Sequence, residues 1–247
     1  MLAVFKKELR SYFLNAIGYV YVGVFLAVSA LLFCYTTLSA KTYDTSTYFY
    51  FIIFSFIILI PLLTMKLFAE EKKLRTEQLL LTAPVSIWGM VLGKFLAAFT
   101  LFLGTVLVSC VNFIPLAIYG ATEGINDAYS APVGPVGAMI ISSLVGILCI
   151  GAAFIALGMF ISSLTENQLA AAIITVAIIV GMLLLDVANA YITNYTIRFI
   201  LDLVCFMSRF KPFQSGLLDW SALLYYLSFA GVFLFLTVRV YDKRRWS

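Results

Sequence analysis

The acids and bases of this 247-residue chain that could do chemistry gather between Lys66 and Ile87. Read as a helix, Lys66 to Leu81 places Glu71 and Arg75 four apart with the acid on the N-terminal side, the favoured order. Lys73 and Glu77 make a second pair, and Leu67, Leu74 and Leu81 recur every seven residues. Pro84 ends this helix and holds Ala83 extended. Ser86 is placed to cap the helix that follows. A charged helix, a corner and a second helix form an elbow that can dock on a partner and transmit rigid motion into two spans; the alternative is an ordinary charged loop that sets topology. Other chemistry falls away. The chain has no histidine, which removes His-based triads, HExxH zinc sites and histidine phosphatase chemistry. Gly89-Met90-Val91-Leu92-Gly93-Lys94 has three residues between its glycines where a phosphate loop has four. Phe95 stands where Ser or Thr would reach magnesium. No catalytic, cofactor or metal site is assigned.

The elements that must position the elbow are six long apolar blocks, approximately 17–38, 48–67, 92–119, 136–161, 169–187 and 220–240. Each holds about 20 residues or more, enough to cross a hydrocarbon core of ~30 Å at ~1.5 Å per residue. The composition is 63% apolar and 11% charged, against ~25% charged in a soluble domain. The blocks are continuous, without the alternation of a barrel strand, and helices satisfy their own backbone in lipid. The expected fold is therefore an all-α integral membrane protein, residues 1–247 forming a single transmembrane domain. Of the 16 Lys and Arg, twelve fall on one side if the N-terminus is cytoplasmic: Lys6, Lys7, Arg10, Lys66, Lys72, Lys73, Arg75, Lys94, Arg239, Lys243, Arg244 and Arg245. Lys41, Arg198, Arg209 and Lys211 fall on the other. The positive-inside rule then puts both termini in the cytoplasm, facing anionic membrane lipid. A basic folded face for nucleic acid is not available. Cys34, Cys110, Cys149 and Cys205 lack a metal-ligand spacing and read as apolar thiols. The first block is too long for a signal peptide and reads as a retained span.

Along the chain, residues 1–15 read as an amphipathic interfacial helix, with Leu2, Phe5, Leu9, Tyr12 and Phe13 opposite Lys6, Lys7 and Arg10. Pro61 is a candidate kink near the inner end of span two. The inner part of span three, with Lys94, is expected to project into cytoplasm or headgroups. Span four carries small pairs four apart, Ser142/Gly146, Ala152/Ala156 and Gly158/Ser162, the spacing of close membrane packing. Asp186 ends span five with no obvious partner. The segment from Ala188 to Asp219 is expected to be ordered, because Phe199, Phe206, Phe210 and Phe213 are costly to leave in water. Asn194-Tyr195-Thr196 matches a sequon and receives no role.

Glu71-Lys72-Lys73-Leu74-Arg75-Thr76-Glu77-Gln78-Leu79-Leu80-Leu81-Thr82-Ala83-Pro84-Val85-Ser86, with Gly93-Lys94 after it, resembles the inner-loop pattern of ABC type-2 transporter permeases. Phe5-Lys6-Lys7-Glu8-Leu9-Arg10-Ser11-Tyr12-Phe13 and Gly18-Tyr19 resemble that family's start. The tail, from Gly216 through Trp220 and Tyr225-Tyr226 to Arg244-Arg245-Trp246, is similar to its gliding-motility-type branch. Arg75 departs from the Gly that often precedes Thr76 there. The resemblance implies that the elbow is a cytoplasmic coupling helix between spans two and three, packed on a separate ATPase. Glu70, Glu71, Lys73, Arg75, Thr76, Glu77, Pro84 and Lys94 would then face or brace that partner. It also implies two ABC ATPase subunits, a second permease, identical or related, and room for an extracytoplasmic accessory protein. The expected function is an export-type permease subunit with the ATPase activity in the partner. The alternative is a non-transporting membrane scaffold; an intramembrane enzyme is disfavoured by the missing histidine and sparse buried acids.

Overall fold

The computed structural model describes residues 1–14, 16–40, 43–73, 86–118, 137–189 and 205–246. Among them every regular element is helical. Helix α1 is Leu2–Leu14 and α2 is Ala16–Phe33, continued by a π-helical turn Cys34–Leu38. Helix α3 is Ser46–Thr64 and α4 is Ala69–Lys73. Helix α5, Ile87–Ser109, runs on through a 3-10 turn Cys110–Asn112. Helices α6, Gly137–Leu164, α7, Gln168–Asn189, α8, Met207–Gln214, and α9, Trp220–Trp246, complete the chain. Six of these stretches are long and apolar enough to cross a membrane: Ala16–Leu38, Ser46–Lys73, Ile87–Ile118, Gly137–Leu164, Gln168–Asn189 and Trp220–Arg245. The third begins before residue 92 because Ser86, extended, caps it: its hydroxyl accepts from the Gly89 N–H at 3.2 Å.

Span four is the axle of the bundle. Its apolar window is 72% buried, against 28% for the first, fifth and sixth spans. The reason is its small residues. A Cβ on Gly151 would lie 2.2 Å from the Phe102 ring, and one on Gly158 would lie 2.4 Å from the Thr64 hydroxyl. Without hydrophobic drive between helices in lipid, such close approach supplies the packing energy. The expected pairs at Gly146 and Gly158 do serve contacts; Gly151 lies outside all three pairs.

At the end of the bundle remote from the termini, α8 folds back into the protein. Phe206, Phe210 and Phe213 are buried, as expected for the described part of that segment, and Gly146 lies under the Phe210 ring. Gly216, at φ +83°, closes α8, with the Leu217 N–H on Pro212 O at 3.1 Å. Asp186 is not unpartnered. Its carboxylate accepts from the N–H groups of Phe206 and Met207, at 2.9 and 3.0 Å, at the positive end of α8. Phe199 and Asn194 lie outside the described residues.

Candidate functional site

Helix α3 stops at Thr64, one turn after Pro61, and the chain turns through 65–68 before α4 begins. A helix break inside a membrane protein frees backbone groups that must find partners. Some are met locally, the Met65 N–H by Pro61 O and the Leu67 N–H by Thr64 O, and other spans supply the rest of those seen. The Ser162 hydroxyl of α6 accepts from the Phe68 and Ala69 N–H groups, at 3.2 and 3.1 Å, and donates to Met65 O at 3.3 Å. The Lys72 ammonium donates to Ser163 O. The Lys94 ammonium of α5 donates to Leu67 O at 2.7 Å. The start of the elbow is thus fastened to α5 and α6, not hung from them as a free charged loop.

Lys94 is the centre of this end of the molecule. It is 1% exposed, so its ammonium is shut off from solvent by the protein itself. Helix α1 covers it. A tight corner turns α1 back on the bundle: a Cβ on Gly18 would meet the Tyr12 carbonyl oxygen at 2.2 Å. The Tyr12 hydroxyl donates to Leu63 O at 3.0 Å. Burial, and secondarily the Glu8 charge, push its phenol pKa up, so it serves as a neutral donor. Gly93 lets α1 close onto α5, its Cβ position being 3.2 Å from Val4 Cβ. The glycines that superficially resemble a phosphate loop therefore lie in a helix, and Gly93 makes room for another helix.

This docking brings Glu8 to Lys94. The Lys94 ammonium lies 3.1 Å from Glu8 Oε1 and 2.9 Å from Glu71 Oε1. With Leu67 O, its three N–H bonds have three acceptors, from α1, α4 and the α3–α4 break. The Phe68 ring lies 5.0 Å from the ammonium and packs, tilted, against Tyr241 of α9 with centroids 4.8 Å apart. Lys7 adds looser contacts, 3.6 Å to Glu71 and 3.9 Å to Glu8. Two lysines thus balance two carboxylates. Buried charge persists only when neutralised and hydrogen-bonded in this way.

Glu71 pairs with Lys94 and Lys7; the expected pair with Arg75 involves a residue outside the described ones. Glu70 pairs with Lys66 at 3.8 Å, and Lys73, Lys6, Lys7 and Arg10 are exposed. Arg75, Thr76, Glu77 and Pro84 lie outside the described residues. Sequence reasoning missed Glu8, Tyr12, Lys72, Ser162 and Ser163. Glu8 carried a signal: it is the one acid in residues 1–15, on a helix otherwise basic. The inward stripe of α1 is Val4, Phe5, Glu8 and Tyr12, whereas Leu2, Phe13 and Leu14 are exposed.

Among the described residues no group of three or more His, Cys, Asp or Glu is placed to hold a metal ion. The contacts of this arrangement are ion pairs and hydrogen bonds between helices. What it can do is hold three elements as one body. A model of the family described as ABC-2 family transporter protein matches residues 5–182. The matched stretch contains Glu8, Glu71, Lys94 and Ser162. No curated protein matches the chain.

Proposed function

The chain belongs to the ABC-2 transporter family, and from that premise we propose that it is the membrane-spanning permease subunit of an ATP-driven exporter. Members of this family are membrane transport components that normally work with ABC ATPases. Our reading places the basic end in the cytoplasm, with both termini, following the charge split. Two ATPase subunits act on the elbow that begins at α4 and continues through residues 74–85, and a second permease completes the path. Glu70, Lys73, Arg75, Thr76, Glu77 and Pro84 form or shape the docking surface. Glu71 and Lys94 brace it from within. The similarity of the tail supports assignment to the gliding-motility-type branch.

One observation carries the coupling reading: the three N–H bonds of Lys94 are divided among α1, α4 and the α3–α4 break. A push on the elbow enters α4 and is shared at once with α1 and α5 through Lys94, and with α6 through Ser162. A packed, bonded junction of this kind moves as a unit. Nucleotide binding can drive it only by favouring one arrangement over another. The scarcity of buried charge elsewhere in the spans suits an apolar or amphipathic cargo, or mechanical work on a partner protein.

The test is to co-express the chain with candidate ABC ATPases, purify the complex and compare ATP hydrolysis with that of Arg75→Glu and Lys94→Met. Arg75→Glu is expected to prevent assembly. Lys94→Met is expected to leave assembly intact and lower hydrolysis several-fold. Modification of Lys73→Cys only from the external medium would place the elbow on the wrong side and refute the reading.

A further inference from the structure

We propose that the outward side of α1 is a binding site for the phosphate headgroup of an anionic phospholipid, and that the headgroup competes with Glu71 for Lys7. Four observations place it there. First, the rotation of α1 is fixed by Tyr12 on Leu63 O, by Glu8 on Lys94 and by Val4 on Gly93. Lys6, Lys7 and Arg10 are therefore held outward together, Lys6 and Arg10 being neighbours at i,i+4. Second, Lys6, Lys7, Arg10, Ser11 and Leu14 line an open cradle of about 590 Å³. Third, among the described residues no carboxylate forms an ion pair with Lys6 or Arg10. Like charges gathered on one helix side repel, and an anion relieves them. Fourth, the cradle is amphipathic. Leu14 is 73% exposed and borders the cations, and the first membrane span begins at Ala16. Cations beside apolar side chains at the level where a span enters lipid match a phosphate with an acyl chain below it. A free phosphate would use the cations and leave Leu14 in water.

The link to the clasp is Lys7. Its contacts, 3.6 Å to Glu71 and 3.9 Å to Glu8, are long for an ion pair, and its side chain is 64% exposed. A headgroup phosphate offers oxygens at closer reach. When Lys7 turns to it, Glu71 and Glu8 lose one nearby cation, so lipid occupancy changes the electrostatics of the coupling junction. The headgroup site itself requires neither the ATPase partner nor the orientation proposed above.

The experiment uses the full chain in phosphatidylcholine bilayers with spin-labelled phosphatidylglycerol, reading the protein-restrained fraction against labelled phosphatidylcholine. Each basic residue near an anionic surface contributes about a factor of five. The triple variant Lys6→Gln/Lys7→Gln/Arg10→Gln is therefore expected to weaken the phosphatidylglycerol association by one to two orders of magnitude. Lys6→Arg/Lys7→Arg is expected to preserve it, which separates charge from folding. Lys243→Gln/Arg244→Gln/Arg245→Gln, removing equal charge from the end of α9, is expected to change it less than two-fold. Glu71→Gln is expected to strengthen it about two-fold by freeing Lys7. Equal loss in both triple variants would mean diffuse surface charge and overturn the site. Displacement by millimolar inorganic phosphate would mean a free-anion site and overturn the lipid assignment. An unchanged association in Glu71→Gln would overturn the competition.

Discussion

Replacing Lys94 with Met keeps a long flexible side chain and removes one charge, which isolates the clasp. Three acceptors lose their donor: Glu8 Oε1 at 3.1 Å, Glu71 Oε1 at 2.9 Å and Leu67 O at 2.7 Å. Breaking a buried pair by removing one partner costs ~3–5 kcal/mol, because the other charge stays buried. Two features reduce that here. Glu8 and Glu71 are 13% and 16% exposed, and Lys7 remains within 3.9 Å of both. About 3 kcal/mol is the resulting expectation, and in a chain of this size it lowers the midpoint of thermal unfolding by roughly 6–12 °C. The assay is thermal unfolding of the detergent-solubilised protein, with Lys73→Met as the exposed control, expected within about 2 °C of the parent. The double variant Lys94→Met/Glu71→Gln should lose at least about 1 kcal/mol less than the sum of the singles, since both remove one interaction. A Lys94→Met shift no larger than that of Lys73→Met, or strict additivity in the double variant, would refute a structural ion cluster at this position.

Three other outcomes follow from the packing. Ser162→Ala strips the Phe68 and Ala69 N–H groups of their acceptor; at about 1–3 kcal/mol per unsatisfied buried group, thermal unfolding should fall by several degrees, and limited proteolysis should cut sooner after Lys72 or Lys73. Gly151→Ala drives a methyl into the Phe102 ring and should cost ~1–3 kcal/mol, read as a lower unfolding midpoint that Phe102→Leu partly restores. Asp186→Ala removes the carboxylate that receives the start of α8 and should cost ~0.5–2 kcal/mol, with faster amide exchange at Phe206 and Met207 as the local readout.

Much of the architecture was legible from local composition. Apolar length alone marks the six spans, because a backbone in lipid must bond to itself and a helix does so residue by residue. Ser86 was legible as a cap because capping involves only its own neighbourhood. The small residues of span four announced close packing but not its partners; which ring lies on Gly151 depends on where span three sits. Asp186 illustrates the same limit: its partner is a helix end about 20 residues further on.

The inner junction divides in the same way. The sequence alone determined that charge gathers after span two and that α1 is basic, since residue type and position suffice for each. Only the tertiary structure decided which charges are spent inside. Spacing marks Arg75 as a candidate for Glu71, but spacing does not reveal that Lys94, 23 positions further on, and Glu8, 63 positions before it, share its cluster. The physical reason is burial. A surface pair gains little and is indifferent to partner, whereas an ammonium removed from water must have its N–H bonds accepted. That requirement is met only where α1 folds back over α5, a fact of three dimensions that no stretch of the chain contains by itself.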